Sequence, residues 1–374
     1  MKVALVHDWL TGMRGGEKCL EVLCELFPEA DLYTLIYLPD RVSPTIRAMK
    51  VHASWLNRLP GIEKYYRYCL PIFPSVIEGF HSPDYDLVLS SSHCVAKGFV
   101  AHGALHIAYI FSPMRYIWDM HDLYFDENSS WFAKMGMRIW RSKLQSWDLQ
   151  SSESVNFFVA ISNNVAAKIE KLYKREAVVI YPPVEIERFF IQEVQEPYYL
   201  VVSALVPYKK IDIAIEAFNK LKLPLKIVGE GPLRKTLEKM AGPNVEFLGW
   251  VDDHTLANLY AACQALIMPG EEDFGIVPLE AQASGRPVIA YGKGGVLETV
   301  LPLRLSGENR AATTKHTGIF FPESTEASLL RAVADYQQNK QMFDSTAIRL
   351  HASSFSRERF KEQIRSYVEA RLRG

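Results

Sequence analysis

Three features of the sequence predict an α/β protein of two doubly wound domains. Short apolar runs recur along the chain, amphipathic stretches long enough for helices separate them, and a Pro-Pro step divides them into two sets of five. Runs apolar on both faces suit strands of a parallel sheet, because crossover helices cover both sides of such a sheet. A chain of 374 residues is also too long for one ordinary core and suits two.

In the first half the runs fall at 2–6, 86–90, 106–111, 156–161 and 177–181. In the second half they fall at 198–203, 225–228, 245–248, 265–268 and 287–290. Between the sets, Pro182-Pro183 breaks any helix or central strand and stiffens the connection. The polar stretch 191–197 that follows has no periodicity of its own. These signals give an N-terminal Rossmann-like domain over 1–183, a linker over 184–197 and a C-terminal Rossmann-like domain over 198–350. A last helix over 351–374 is expected to pack back on the N-terminal domain. Neither a solenoid repeat nor a low-complexity tract interrupts this plan.

Composition narrows the function. Hydrophobic residues make up 48% and charged residues 23%, as in ordinary soluble proteins. The net charge of −1 argues against a nucleic-acid binder, which would be basic. Any bound anion must be captured by placed donors. Cys19, Cys24, Cys69, Cys94 and Cys263 are odd in number and scattered, the pattern of core thiols in a reducing compartment. The apolar start is cut short by His7 and Asp8, so it reads as a first strand and not as a signal peptide. No apolar run approaches the ~20 residues of a membrane span. The expected location is the cytoplasm, with peripheral contact at the inner face of the cell membrane.

The most informative stretch runs over 269–281, where a strand is followed by a turn with Gly270 and Gly275 and then by a helix. Glu272 lies at the loop tip and Glu280 about one turn inside the helix. Such a loop and its helix N-terminus can take a phosphate, while ionised carboxylates accept from sugar hydroxyls. Taken by itself, Glu-x7-Glu also fits a capping carboxylate plus a surface glutamate.

The surrounding words point further. They are Gly15-Gly16 after the first strand, Tyr181-Pro182-Pro183-Val184-Glu185, Ala204-Leu205-Val206-Pro207-Tyr208-Lys209-Lys210, Val228-Gly229-Glu230-Gly231-Pro232, Phe247-Leu248-Gly249-Trp250-Val251, Glu272-Asp273-Phe274-Gly275 and Gly285-Arg286-Pro287-Val288. In this order they resemble the retaining glycosyltransferase family numbered four, whose members have two Rossmann-like domains facing a cleft, the GT-B fold. The resemblance covers nearly the whole chain and implies an enzyme that moves a hexose from a nucleotide sugar. It implies that Gly15 and Gly16 present backbone amides to the donor phosphates. Lys209 would neutralise the departing diphosphate, Glu272 would contact the transferred sugar and Glu280 the ribose. Val251 would meet the base, and Lys210, Glu230, Asp273, Phe274, Gly275 and Ile276 would complete the donor side.

Two positions depart from the family pattern. Its arginine ahead of the lysine is Ala204 here, and a histidine after an N-domain strand is Phe111. A lost guanidinium removes a bidentate phosphate partner, for which Lys210, Arg14 or Arg115 could substitute. Arg14, Arg115 and His121 are the candidates on the acceptor or phosphate side. The Asp84-Tyr85-Asp86 word matches a metal-binding pattern of another fold, and Asp119, His121, Asp122 and Asp126 cluster as well. Asp84 and Asp86 stand at a strand entry, and the second set is unevenly spaced, so no metal and no cofactor is expected.

A helix over 129–150 carries Lys134, Arg138, Arg141 and Lys143 together with Trp131, Trp140 and Trp147. Basic residues beside aromatic ones suit an anionic bilayer, and a packed helix with a solvated basic face would look the same. The stretches 112–119 and 180–184 are similar to those of GDP-mannose enzymes of O-antigen and exopolysaccharide assembly, which implies mannose as the sugar and a glycan or lipid-linked acceptor. The rivals are a nucleotide-sugar epimerase of similar fold and a non-catalytic sugar-nucleotide binder.

Overall fold

The computed structural model describes residues 1–81, 83–118, 131–303 and 316–373, with backbone alone at 116 and over 131–139. Two compact units divide the chain: Met1–Pro183 with Phe360–Gly374, and Val184–Arg359.

The first unit is built on seven parallel strands: β1 (Val3–His7), β2 (Asp31–Thr34), β3 (Lys50–Ala53), β4 (Leu87–Ser92), β5 (Leu105–Ile110), β6 (Phe157–Ala160) and β7 (Ala177–Val179). Their spatial order is β3-β2-β1-β4-β5-β6-β7. Every residue of β1 is buried, as its unbroken apolar run requires of a central strand. The helix α1 (Gly15–Leu26) returns from β1 and buries Cys19, Leu20, Val22, Leu23 and Cys24 against the sheet. The chain winds outward to β3 and then resumes beside β1 with β4. The order therefore reverses between β1 and β4, the position at which open parallel sheets commonly bind ligands.

The long helix α2 (Trp131–Glu153) is tied to the unit by buried polar groups. Lys97, only 2% exposed, pairs with Asp148 at 3.1 Å. The other Asp148 oxygen accepts from Trp118 Nε1 at 2.7 Å and from the Tyr173 hydroxyl at 2.9 Å. Trp147 lies against Gly98 so closely that a Cβ there has no room. A buried ion pair this well bonded is costly to break from one side.

The second unit has six parallel strands: β8 (Tyr199–Val202), β9 (Leu225–Val228), β10 (Val245–Gly249), β11 (Leu266–Met268), β12 (Val288–Tyr291) and β13 (Gly318–Phe321). Their order is β10-β9-β8-β11-β12-β13, so this sheet reverses between β8 and β11. Helices α3 (Ile211–Leu221), α4 (Asp253–Ala262) and α5 (Ile276–Ala283) follow β8, β10 and β11. Residues 184–197 are held within this unit: Arg349 donates to the carbonyl of Phe189 at 2.6 Å, and Arg188 pairs with Asp253 at 2.9 Å. The last helix, α6 (Arg357–Arg373), buries Phe360, Ile364 and Val368 at a spacing of four. Phe360 meets Tyr109 edge-on at 5.6 Å and Lys361 pairs with Glu25 at 2.8 Å, both within the first unit.

Three strands exceed the five expected in each half. β2 and β3 read Asp-Leu-Tyr-Thr and Lys-Val-His-Ala, too short and too polar to stand out as apolar runs. β3 is an edge strand, where exposure is allowed. β13 has only four residues.

Candidate active site

The second unit assembles its site from the loops at the carboxyl ends of β8, β9, β11 and β12. After β8 the chain turns through Pro207–Lys209 and enters α3 with Lys210 in a left-handed conformation, φ 53°. Gly270, after β11, packs under this turn: a Cβ on it would stand 2.8 Å from the Lys209 Cα and the Tyr208 carbonyl oxygen. Glycine is needed there because backbone meets backbone. The neighbouring Glu272 then reaches Lys209, and the two form an ion pair. Both side chains are mostly shielded, 15% and 22% exposed, so their attraction is screened less than that of a surface pair.

Gly294 and Gly295, after β12, support the other side of the same loop. Gly295 N–H donates to the Glu272 carbonyl at 2.7 Å, and a side chain on either glycine would strike the backbone of Glu272 or Asp273. Asp273 and Phe274 are buried, 5% and 3% exposed. Gly275 then starts α5 at φ 100° with no side-chain cap, leaving the first amides of that helix, at Ile276 among others, facing the loop's end, where an anion is favoured. Inside α5, Glu280 is 8% exposed and accepts from the Tyr260 hydroxyl at 2.9 Å.

The β8 and β9 loops interlock through glycine as well. Leu205 N–H donates to the Glu230 carbonyl at 3.0 Å, and a Cβ on Gly229 or Gly231 would collide with the backbone of Ser203 or Leu205. The Glu230 side chain is exposed and pairs with Arg234 one helical turn on. Val251 follows the exposed Trp250, and Lys210 and Ala204 are both exposed. The structure therefore joins Lys209 with Glu272 and packs Glu280 onto Tyr260. It turns the Glu230 carboxylate toward Arg234.

In the first unit the reversal point is furnished with side chains. Asp8, fully buried after β1, accepts from the amides of His93, Cys94, Val95 and Ala96 at 2.6–3.0 Å. It also pairs with His93 Nδ1 at 2.9 Å. Burial works against this charge, yet His93 and the amides hold the carboxyl down at about 2. His7 donates to or accepts from Ser91 Oγ at 2.8 Å through Nδ1, and burial lowers it to about 4. Its Nε2 is buried with no hydrogen-bond partner.

Gly15 and Gly16 open α1 beside this cluster. A Cβ on Gly16 would meet His7 and Phe111 only at 3.5 Å, ordinary contact, so folding by itself does not demand glycine there, whereas close approach of a ligand would. Arg14 is exposed and its amide is held by Glu17 at 3.2 Å. Arg115 follows β5 and donates to Ser112 Oγ at 3.3 Å. Phe111 and His93 rings lie 6.5 Å apart, so an imidazole from the neighbouring strand end stands beside Phe111. His121, like Asp119, Asp122 and Asp126, lies outside the described residues. Asp86 accepts from the Lys2 amide at 2.6 Å at the opposite, amino-terminal end of β4. Among the described residues no three His, Cys, Asp or Glu side chains are grouped to hold a metal ion.

Asp8, His7, His93, Tyr260, Gly294 and Gly295 were not among the residues expected from sequence. The available signals were a Gly-Gly pair after a strand, as at Gly15-Gly16, and the polar ends of two central strands.

Residues 183–345 match the family of glycosyl transferases group 1. Among curated relatives, the O-antigen chain mannosyltransferase C of Escherichia coli is 27% identical over 229 residues, 56% of this chain and 57% of that one. The GDP-mannose-dependent monoacylated alpha-(1-6)-phosphatidylinositol monomannoside mannosyltransferase of Corynebacterium glutamicum is 40% identical over 116 residues, 27% of this chain and 30% of that one. The matched stretches thus span under two thirds of these relatives. Among solved structures, sucrose-phosphate synthase from Thermosynechococcus elongatus superposes with a TM-score of 0.73 at 17% identity, covering 99% of each chain. That likeness speaks to fold, and with the two parallel sheets it gives a GT-B architecture. The family match over 183–345 falls almost wholly on the second unit.

Proposed function

We propose that this chain transfers a hexose, mannose from GDP-mannose, to a glycan or lipid-linked acceptor, with retention at the anomeric carbon and without a metal ion. The observation that carries the reading is the Lys209–Glu272 ion pair at the reversal point of the second sheet. It keeps a cation and a carboxylate ready beside the start of α5. A nucleoside diphosphate exchanges for Glu272 at the Lys209 ammonium, and Glu272, released, accepts from hydroxyls of the sugar. As the bond from the anomeric carbon to the phosphate oxygen breaks, its electron pair stays on the diphosphate. Lys209 and the amides at the start of α5 stabilise that added charge. The acceptor hydroxyl forms the new bond and passes its proton to the departing phosphate oxygen. Glu280, fixed by Tyr260, takes the ribose hydroxyls. Mannose and GDP are supported by the mannosyltransferases among the relatives.

Thermal unfolding in excess EDTA with GDP, UDP, ADP and dTDP tests donor and metal together. GDP at a hundred times its dissociation constant should stabilise the chain by about 2.7 kcal/mol and do so better than the other nucleotides. A larger shift with UDP rejects mannose from GDP-mannose. Protection that appears only when manganese is restored rejects metal independence.

A further inference from the structure

In the described half of the helix over 129–150, Arg141 donates to the Ile117 carbonyl at 2.9 Å, Leu144 is buried and Trp147 donates to Glu78. Those groups face protein, and no helix among the described residues is long and apolar enough to cross a membrane. The polarity that the fold leaves unused lies at the reversal point of the first sheet. Two imidazoles stand there, His7 at the end of β1 and His93 just after β4, with ring centroids 6.4 Å apart.

Each ring is fixed through one nitrogen. The Ser91 hydroxyl donates to the Val6 carbonyl at 3.3 Å, so its oxygen accepts from His7 Nδ1 at 2.8 Å. Burial keeps this ring neutral, its pKa down at about 4, and a neutral imidazole protonated at Nδ1 has an acceptor at Nε2. That Nε2 is buried, and no group among the described residues hydrogen-bonds it. An acceptor shut away without a donor destabilises a fold, so packing by itself does not account for an imidazole here. His93 is fixed in the same sense. Asp8, ionised and an acceptor only, holds its Nδ1 at 2.9 Å and so leaves Nε2 as the acceptor. The His93 side chain keeps 29% of its surface exposed, within reach of a ligand.

The surroundings select the ligand. Glu17, buried in the first turn of α1, already places a carboxylate at the positive end of that helix. A phosphate would meet Glu17, Asp8 and unprotonated nitrogens, whereas a neutral hydroxyl meets acceptors. Gly16 leaves room for one. A Cβ there would stand 3.5 Å from Phe111 and from His7 Cε1, the ring atom next to Nε2. Folding tolerates that contact, but a hydroxyl seated on Nε2 would lose its space.

We propose that the first unit binds a sugar here, two of its hydroxyls donating to His7 Nε2 and His93 Nε2, with Asp8 as the positioning residue for His93 and Gly16 as the opening to His7. The proposal rests on the reading that this chain handles sugars, and it uses no residue of the second unit. Isotope-edited spectra of the histidine ring nitrogens in the full chain, at neutral pH, test it, because an imidazole nitrogen moves upfield on accepting a hydrogen bond. The probes are GDP, GDP-mannose and methyl α-D-mannopyranoside. GDP should leave both Nε2 resonances in place. Movement with the free mannoside identifies an acceptor sugar, and movement with GDP-mannose but not the mannoside identifies the transferred hexose. Gly16→Ala should keep its unfolding temperature and its protection by GDP while losing the sugar-induced shift of His7. His93→Gln and His7→Phe should each weaken the sugar about tenfold, again with GDP protection unchanged. Asp8→Asn should move the His93 proton to Nε2 and abolish the His93 shift alone; if that variant does not fold, His93→Gln carries the test. Rings that ignore both sugars overturn the proposal, as does an equal shift with GDP, which would mark an anion site. So does a Gly16→Ala chain that responds as wild type. Failure of GDP to protect the wild-type chain would instead reject the transferase reading, with the response to the mannoside still there to be read.

Discussion

The two sheets reverse direction in the same way and equip the reversal differently. In the second unit the loops meet backbone to backbone, with Gly229, Gly231, Gly270, Gly294 and Gly295 removing the Cβ atoms that would hold them apart. Their charged groups, Lys209 and Glu272, stay partly open to solvent. In the first unit the strand ends are joined by buried polar side chains: Asp8 ties four amides of the β4 loop, and His7 ties Ser91. One arrangement leaves its charged pair within reach of solvent, and the other uses its polar groups to hold loops in place. The first should be tolerant of pH and sensitive in activity; the second should be sensitive in stability.

The largest separation between the units is expected on acidification. Burial holds His7 at about 4 and His106 at about 3, against the ordinary 6.5. As pH falls below 6.5 the unfolded chain binds protons that the folded unit refuses. This part of the stability is whole above pH 6.5, drains from there to about 4 for His7, and continues to about 3 for His106. By pH 4 each imidazole has withdrawn about 3 kcal/mol, together comparable with the whole stability of a domain. Asp8, held low, gives up its share only between 3.8 and about 2. Glu17, held up by burial, works in the opposite sense. His254, His316 and His351 of the second unit are not buried. Hydrogen exchange at pH 7, 5 and 4 should show amides of β1, β4 and β5 losing protection before those of β8, β11 and β12. Simultaneous loss in both sheets would remove this difference.

Next in size is the effect of the ion pair on transfer. Lys209→Ala and Glu272→Gln should each slow transfer about a hundredfold or more, since one well-placed stabilising group is worth about 3 kcal/mol of barrier. Because both side chains sit on loops beyond the carboxyl ends of the strands, the unfolding temperature should hold. Near-normal turnover in both variants would place the chemistry elsewhere.

Legibility in the sequence follows the same division. Strands such as β1 and β11 are built on apolar runs and stand out, while β2 and β3 mix Asp31, Thr34, Lys50 and His52 into short segments that acquire strand character only from their neighbours. The β8 and β11 loops are legible as words, Ala204–Lys210 through its place in the order of motifs and the β11 loop also through Gly270 and Gly275. Their joining is not, since Lys209 and Glu272 lie 63 residues apart. Asp8 and the amides it binds are 85 to 88 residues apart, and a buried aspartate after a strand carries no mark that separates it from a turn residue until the topology brings β4 alongside. The aromatic-basic pattern over 129–150 was visible, but its orientation depends on Trp147, Asp148 and Arg141 finding partners that the pattern does not name.

The smallest effect tests whether the glutamate inside α5 serves a ligand or only the fold. Tyr260 is fully buried, and its hydroxyl donates to Glu280 while its ring meets Phe189 edge-on at 5.7 Å. Burial first, and then the charge of Glu280, push the phenol well up, so it stays protonated and keeps donating. Tyr260→Phe retains the ring contact and removes the hydroxyl's hydrogen bond to the carboxylate. A hydrogen bond to a charged group contributes about 1.5–3 kcal/mol, part of which returns when Glu280 finds water or another donor. About a tenfold loss of GDP affinity is therefore expected, equivalent to about 1.4 kcal/mol, with turnover at saturating donor nearly unchanged. Comparison with 2′-deoxy-GDP gives the readout that packing cannot mimic. If Glu280 grips the ribose, the wild-type chain prefers GDP to its deoxy form and the variant loses most of that preference. If both nucleotides weaken equally, or if only the unfolding temperature falls, the Tyr260–Glu280 contact is part of the core, and the second unit holds its nucleotide by the Lys209 loop and the start of α5 without the ribose contact.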